Sequence, residues 1–330
     1  MTPQDFLECY ASGKRNFKGF SLAGIDLSKA DIIGSNLQLA NLENAIFTLA
    51  YLTRVNFRRA NLARAQLAGA NLNQANLTQA NLSDANLHGA SLQGADLRSA
   101  QLPLADLMDA NLIEADLRNA DMSGANLTGA CLRGANFRQE DRKYIANLRG
   151  ANLRQADLEG ANLRGADLAY VDLSEANLAN VSLQGADLHG ANLQGAYLQS
   201  ANLSDALMAD ANLEQADLTN VLANRVNLSQ AHLDQALLHD IRLAEALLAE
   251  TSMQDVVLTR ANLNRADLSR ANLTRADLTA ATLVEAYLGR ANLGQADLTN
   301  AVLARAEISS ATFIDTVLTG TTMPDGSVHA

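Results

Sequence analysis

Ala70 to Leu87 reads ANLNQANLTQANLSDANL, and this stretch decides the fold. Its period is five residues, A-(N/D)-L-x-x, which matches neither the 3.6 of a helix nor the plain alternation of a long strand. It suits a short extended segment followed by a corner. In an extended segment, residues two apart share a face. The Leu at the centre of each unit and the Ala two before it therefore point inward together. The Asn or Asp between them and the two residues after the centre point outward.

Working outward, a Leu, Phe, Ile or Met recurs every five positions from Phe17 to Phe137 and again from Leu148 to Met323. Of the 61 centres 49 are Leu, 47 have Ala two places before them, and Ala223 is the one small centre. Sixteen of the 20 glycines lie two places after a centre, Gly89, Gly94, Gly124 and Gly185 among them, and Pro103 and Pro324 lie one place after. Pro followed by a Gly-rich position predicts a type II turn, whose third residue needs positive φ. Each unit thus ends in a corner.

The chain resembles the pentapeptide-repeat family over about nine-tenths of its length. That resemblance implies an all-β fold, a right-handed quadrilateral β-helix of four units and about 20 residues per coil. It would have about 15 coils and, at ~4.8 Å per coil, a length of roughly 70 Å. Residues 20 apart should then stack. One such outward column, Asp205, Arg225, Glu245, Arg265, Glu285, Arg305 and Asp325, alternates in sign. Opposite charges on adjacent strands attract, so the column reads as a structural ladder. Thr259, Thr279, Thr299 and Thr319 form a second one.

The expected organisation is a helical cap at 1–14, β-helix at 15–137, a break at 138–147, β-helix at 148–323 and a tail at 324–330. Thr2, Pro3 and Asp5 carry helix-start signals and Gly13 a stop. Phe6, Leu7 and Tyr10 are expected to cover the first coil, closing an open β edge. The opening YASGKRNF (10–17) and the closing MPDGSVH (323–329) resemble the ends of cyanobacterial members of the family, among them a regulator of heterocyst differentiation. The break carries RQEDRKYI: Arg138, Glu140, Asp141, Arg142, Lys143 and Tyr144 form a candidate recognition loop, weighed against a tolerated insertion.

Composition narrows the function. Aromatic residues are only 4% and Trp is absent, as befits a coil too narrow for more than Leu and Ala. No run of apolar residues is long enough for a membrane span, and MTPQDFLECY lacks the basic start and apolar stretch of a signal peptide. Cys9 and Cys131 make no disulfide framework, so the cytoplasm is the expected location. The net charge of −11 argues against direct nucleic-acid binding. The five His show no metal-ligand spacing, no nucleophile arrangement appears, and no cofactor is expected.

Charge and outward aliphatics point to one band. Residues 1–140 carry 12 bases and 13 acids, whereas Asp167–Asp255 holds 13 acids against Arg225 and Arg242. Leu207, Leu222, Leu237, Leu247 and Val257, with Asp210, Asp234, Asp240 and Glu250, are the candidate partner surface. The expected function is a non-enzymatic protein-interaction scaffold or regulator, monomeric or paired through its C-terminal edge. The alternatives are a DNA mimic that binds DNA gyrase, as the resemblance allows, and a purely structural spacer.

Overall fold

The computed structural model describes residues 1–139 and 145–330. It contains two compact units, Met1–Asp167 and Leu168–Ala330. Each is a right-handed quadrilateral β-helix.

Within each unit the outward Asn or Asp of one coil forms a parallel bridge to the residue 20 positions on, as in Asn36 to Asn56 and Asn192 to Asn212. The hydrogen bonds are reciprocal. Leu37 N–H donates to the Asn56 carbonyl at 2.8 Å, and Asn56 N–H donates to the Ser35 carbonyl at 2.9 Å. At the break the partners are 26 apart, as in Asp121 to Asn147 and Asn136 to Asn162. The columns resume after an insertion of six residues, so the coil tolerates the break without losing its register.

The inward positions are dry. Centres such as Leu107, Leu188 and Leu263, and the alanines two before them, are at most 1% exposed. Burying each Leu contributes about 1.5–3 kcal/mol. At Ala223 the missing volume is offset by Val221 and Val226, which replace Ala at the inward positions on either side and are fully buried. Size is exchanged between neighbours while the packing stays tight.

The corners are type II turns. The Ala40 N–H donates to the Leu37 carbonyl at 3.0 Å, and Leu39, third in that turn, has φ of 60°. Most of these left-handed corners hold ordinary side chains, with φ of 54–63° at every non-glycine one. Their N–H groups hold them there by bonding the next coil, as Leu39 does to the Arg58 carbonyl at 3.0 Å. At Gly124 glycine leaves room for a neighbour: a Cβ there would lie 2.9 Å from the tip of the exposed Leu104 side chain, which folds over that corner from the coil before and would have to swing aside.

Asn and Asp at the outward bridge position do two jobs. Their Oδ1 accepts the backbone N–H two residues on, as Asn56 does from Arg58 at 3.1 Å. An Asn also donates to the coil before, as Asn56 Nδ2 does to Asn36 Oδ1 at 3.2 Å.

The helix, α1, spans Pro3–Ala11 and starts with a capping box. Asp5 N–H donates to Thr2 Oγ1 at 3.1 Å, and Thr2 N–H donates to Asp5 Oδ2 at 2.9 Å. Phe6 is fully buried and stacks on Phe17 with ring centroids 4.2 Å apart. The expectation for Leu7 needs correcting: it is 38% exposed and does not enter the core. One short helix over a coil this narrow has room for a single inward side chain. Tyr10 instead reaches sideways, its hydroxyl donating to the Ile33 carbonyl at 3.1 Å, with the Arg15 guanidinium 3.7 Å from its ring centroid. At the other end the tail folds back, with Thr322 and Val328 bridged antiparallel.

Candidate functional site

The candidate partner surface lies in the second unit, and the bridges show which of its residues share a side. Asp187, Leu207, Asn227, Leu247, Asp267 and Tyr287 form one column. Leu222 lies in the column of Asn202 and Arg242, and Leu237 stacks on Val257 in the column of Asp217 and Asp277. Because consecutive units of a coil face consecutive sides, the Leu207 and Leu237 columns occupy opposite sides. The five aliphatics therefore do not form one surface. Leu207, Leu222, Leu237 and Leu247 are 37–50% exposed, while Val257 is only half-buried against its neighbours.

The acids of the band are also differently placed from the sequence expectation. Residues 240, 245, 250 and 255 occupy the four corners of one coil, and Arg260, Arg265, Arg270 and Arg275 occupy the same corners one coil on. Arg260 bonds Asp240 at 2.7 Å, Arg270 bonds Glu250 at 2.8 Å and Arg275 bonds Asp255 at 2.6 Å. Three acids of the 167–255 band thus meet arginines that lie just beyond it in the chain, so a count over sequence separates partners that touch in space. Each Arg holds its carboxylate below the usual range: Asp240 and Asp255 through their Arg bonds, and Glu250 through Gln230 first and Arg270 second.

The remaining acids bind locally. Asp234 accepts from the Ser252 hydroxyl at 2.8 Å and the Gln254 N–H at 2.6 Å. Asp210 lies 3.7 Å from a His189 ring nitrogen.

The alternating column is bonded in pieces. Arg225 bonds Asp205 at 2.7 Å, and Glu285 bonds both Arg265 at 2.9 Å and Arg305 at 2.8 Å. Among the described residues Glu245 forms no ion pair within 4 Å, and Asp325 bonds Ser327 instead of Arg305. The long Arg265 side chain can reach only one neighbouring coil with good geometry, and it goes to Glu285.

Of the candidate loop, Arg138 is described and exposed, while Glu140, Asp141, Arg142, Lys143 and Tyr144 lie outside the described residues. Among the described residues no cluster of His, Cys, Asp or Glu has the makings of a metal site, and no helix is long and apolar enough to cross a membrane. Cys9 and Cys131 are free thiols.

The structure places Leu207, Leu247 and Tyr287 in one column, two coils apart with Asn227 and Asp267 between them, and they are 50%, 47% and 55% exposed. Beside them runs a column of small residues, Ala209, Ser229, Ala249, Ser269 and Gly289, so the three large groups stand above a flat floor. Sequence reasoning missed Tyr287. Its spacing of 40 from Leu247, two coils on, is the signal that could have found it.

A family model described as pentapeptide repeats matches residues 16–48, 60–102, 105–139, 146–185, 172–208, 186–222, 201–240, 241–279 and 281–320. Over 100% of both chains the sequence is 30% identical to HetL, a pentapeptide repeat protein involved in heterocyst differentiation regulation in the cyanobacterium Nostoc sp. strain PCC 7120 (TM-score 0.34). It is 35% identical to Rfr23 of the cyanobacterium Cyanothece 51142, covering 35% of this chain and 85% of that one (TM-score 0.30). It is 16% identical to QnrB1, a plasmid-mediated fluoroquinolone resistance protein, covering 51% and 86% (TM-score 0.33). A comparison with curated protein sequences finds no match.

Proposed function

Since the chain belongs to the pentapeptide-repeat family, we propose that it is a non-enzymatic scaffold that binds another protein through the outer sides of its coils. The observation that carries this reading is the exposed row of Leu207, Leu247 and Tyr287. The same column holds Asp187, Asn227 and Asp267 without disturbing the bridges, so the coil does not need apolar residues there. Large apolar groups kept in water on a rigid, flat side are what a partner would cover. The similarity to HetL over its full length supports a regulatory scaffold that works by contact, and the cytoplasm is the compartment we propose for it.

Mimicry of duplex DNA is less well supported, because Asp205, Asp240, Glu250 and Asp255 are bonded to arginines instead of standing free like backbone phosphates. A purely structural spacer would have no use for the Leu207 row.

The test is co-purification from the source organism with a tagged protein and a Leu207→Lys, Leu247→Lys, Tyr287→Lys variant. The variant should keep the β-type circular dichroism and lose a protein that the parent retains. If both retain the same proteins, the row is not the binding surface.

A further inference from the structure

The first unit carries its bases on one side. At the position after each centre there, the column reads Lys18, Gln38, Arg58, Thr78, Arg98, Arg118, Arg138 and Arg164, on eight successive coils. The neighbouring bridge column reads Asn16, Asn36, Asn56, Asn76, Asp96, Asp116, Asn136 and Asn162. Its Oδ1 atoms accept the N–H of every residue in the basic column, from Thr78 at 3.0 Å to Arg118 at 3.3 Å, which fixes where each side chain leaves the backbone. Two of the bases are matched on their own side: Arg98 bonds Asp96 at 2.9 Å and Arg118 bonds Asp116 at 2.8 Å. Among the described residues Lys18, Arg58, Arg138 and Arg164 have no acidic partner within 4 Å, and all four are exposed.

This concentration is unnecessary for folding. Gln38 and Thr78 occupy the same column with the same backbone bonds. Like charges on the adjacent strands of Arg98, Arg118, Arg138 and Arg164 repel. In the second unit the corner arginines Arg225, Arg260, Arg265, Arg270, Arg275 and Arg305 are each set against an acid, whereas here the fold leaves positive charge standing. The count of 12 bases and 13 acids over residues 1–140 hides it, because Glu43, Asp84, Asp106 and Asp109 lie on other sides. Arg or Lys at 18, 58, 98, 118 and 138 is a multiple-of-20 spacing visible in the sequence. Between Arg58 and Arg98 the short Thr78 opens a groove of about 450 Å³, lined also by Asn76, Ser99 and Asn119.

We propose that this side is a second recognition surface, and that its occupant is an acidic α-helix of a partner protein lying along the column. The spacing favours a helix. Coils repeat every ~4.8 Å and a helix turns every ~5.4 Å, so one acidic residue per turn meets one coil, with a drift of about 2 Å over four coils that Arg side chains absorb. An extended strand presents same-side residues about 6.8 Å apart and falls out of step within two coils. Nucleic acid fits poorly. The column holds no aromatic residue on which a base could stack, and the free bases are too few to offset phosphates on a chain of net charge −11. The surface is independent of the Leu207 row, which lies in the other unit.

The test is fluorescence anisotropy with the full chain and three labelled probes. One is a helical peptide of about 20 residues with Glu at i, i+3/i+4 spacing on one face. The second has the same composition with the Glu residues scattered around the helix. The third is a single-stranded oligothymidylate of about 20 nucleotides. The aligned peptide should bind best, weaken with salt, and lose about ten-fold or more in affinity against Arg58→Glu, Arg138→Glu, Arg164→Glu. The milder set Arg58→Gln, Arg138→Gln, Arg164→Gln should lose less, and the Leu207, Leu247, Tyr287 variant should bind as the parent does. Equal binding of the aligned and scattered peptides, no binding of either, tighter binding of the oligonucleotide, or indifference to both arginine sets overturns the proposal.

Discussion

Ser35 occupies an inward position, two before the centre Leu37, where most units hold Ala. It is fully buried and its Oγ has no hydrogen-bond partner. A buried unsatisfied hydroxyl costs about 1–3 kcal/mol. Removing it in Ser35→Ala gives up the contacts of one atom, each worth ~0.1–0.2 kcal/mol. The net expectation is a gain of about 1 kcal/mol, equivalent to a rise in Tm of about 2–4 °C for a unit of this size. Thr251 is the matched control. It sits at the corresponding inward position of the second unit, but its hydroxyl donates to the Leu248 carbonyl at 2.7 Å. Thr251→Val should lose about 0.5–1.5 kcal/mol. A coil contacts mainly its neighbours, so a global unfolding midpoint can blur a local effect. Hydrogen exchange of the Leu37 and Asn56 amides, which bond across this coil, reads the local opening free energy directly. Slower exchange in Ser35→Ala and faster exchange around residue 251 in Thr251→Val are expected. Unchanged or faster exchange in Ser35→Ala, with Thr251→Val neutral, would refute the assignment of the cost to the unpaired hydroxyl.

Two further predictions concern the corners. The carboxyls of Asp240 and Asp255 are held low by their arginines, so in acid the unfolded chain takes up protons first. The stabilisation is present above the ordinary carboxylate pKa of about 4 and is lost as pH falls through the lower folded values. Urea midpoints measured from neutral pH down into acid should therefore fall less steeply in Arg260→Gln, Arg275→Gln than in the parent; parallel curves would remove the pairs from the account. Ala280 has φ of 57°, a conformation that costs an L-residue about 1–2 kcal/mol and glycine nothing. Ala280→Gly should gain about 0.5–1 kcal/mol after the entropy of the freer unfolded chain is counted, and Ala280→Val should lose stability. Thermal melts of the two variants on opposite sides of the parent would bear this out.

Much of the fold was legible because each position of the unit has one physical task. Leu107 and Ala105 had to be inward, Asn36 outward and Gly124 at a corner, and the period of 20 was visible in the alternation from Asp205 to Arg305. The candidate surface was much less legible. Leu207 and Leu237 are separated by 30 residues, one coil and a half, which places them on opposite sides despite their closeness in the chain. Asp240 and Asp255 looked like unmatched charge because Arg260 and Arg275 lie 20 residues further on. Leu7 looked like a second capping side chain, but the coil beneath α1 admits only Phe6.

The amino-acid sequence by itself determined the repeating unit, its inward and outward positions, its corners and the family, because these depend on neighbours within five residues and on a period that repeats along the whole chain. Only the tertiary structure decided which charges cancel, which apolar groups share a side, and that Arg164, across the break, joins the row of Lys18, Arg58 and Arg138. The reason is geometric. A coil of 20 residues brings residue i against residue i+20, or i+26 across the break, so surface composition is sorted by side of the coil and not by stretch of chain.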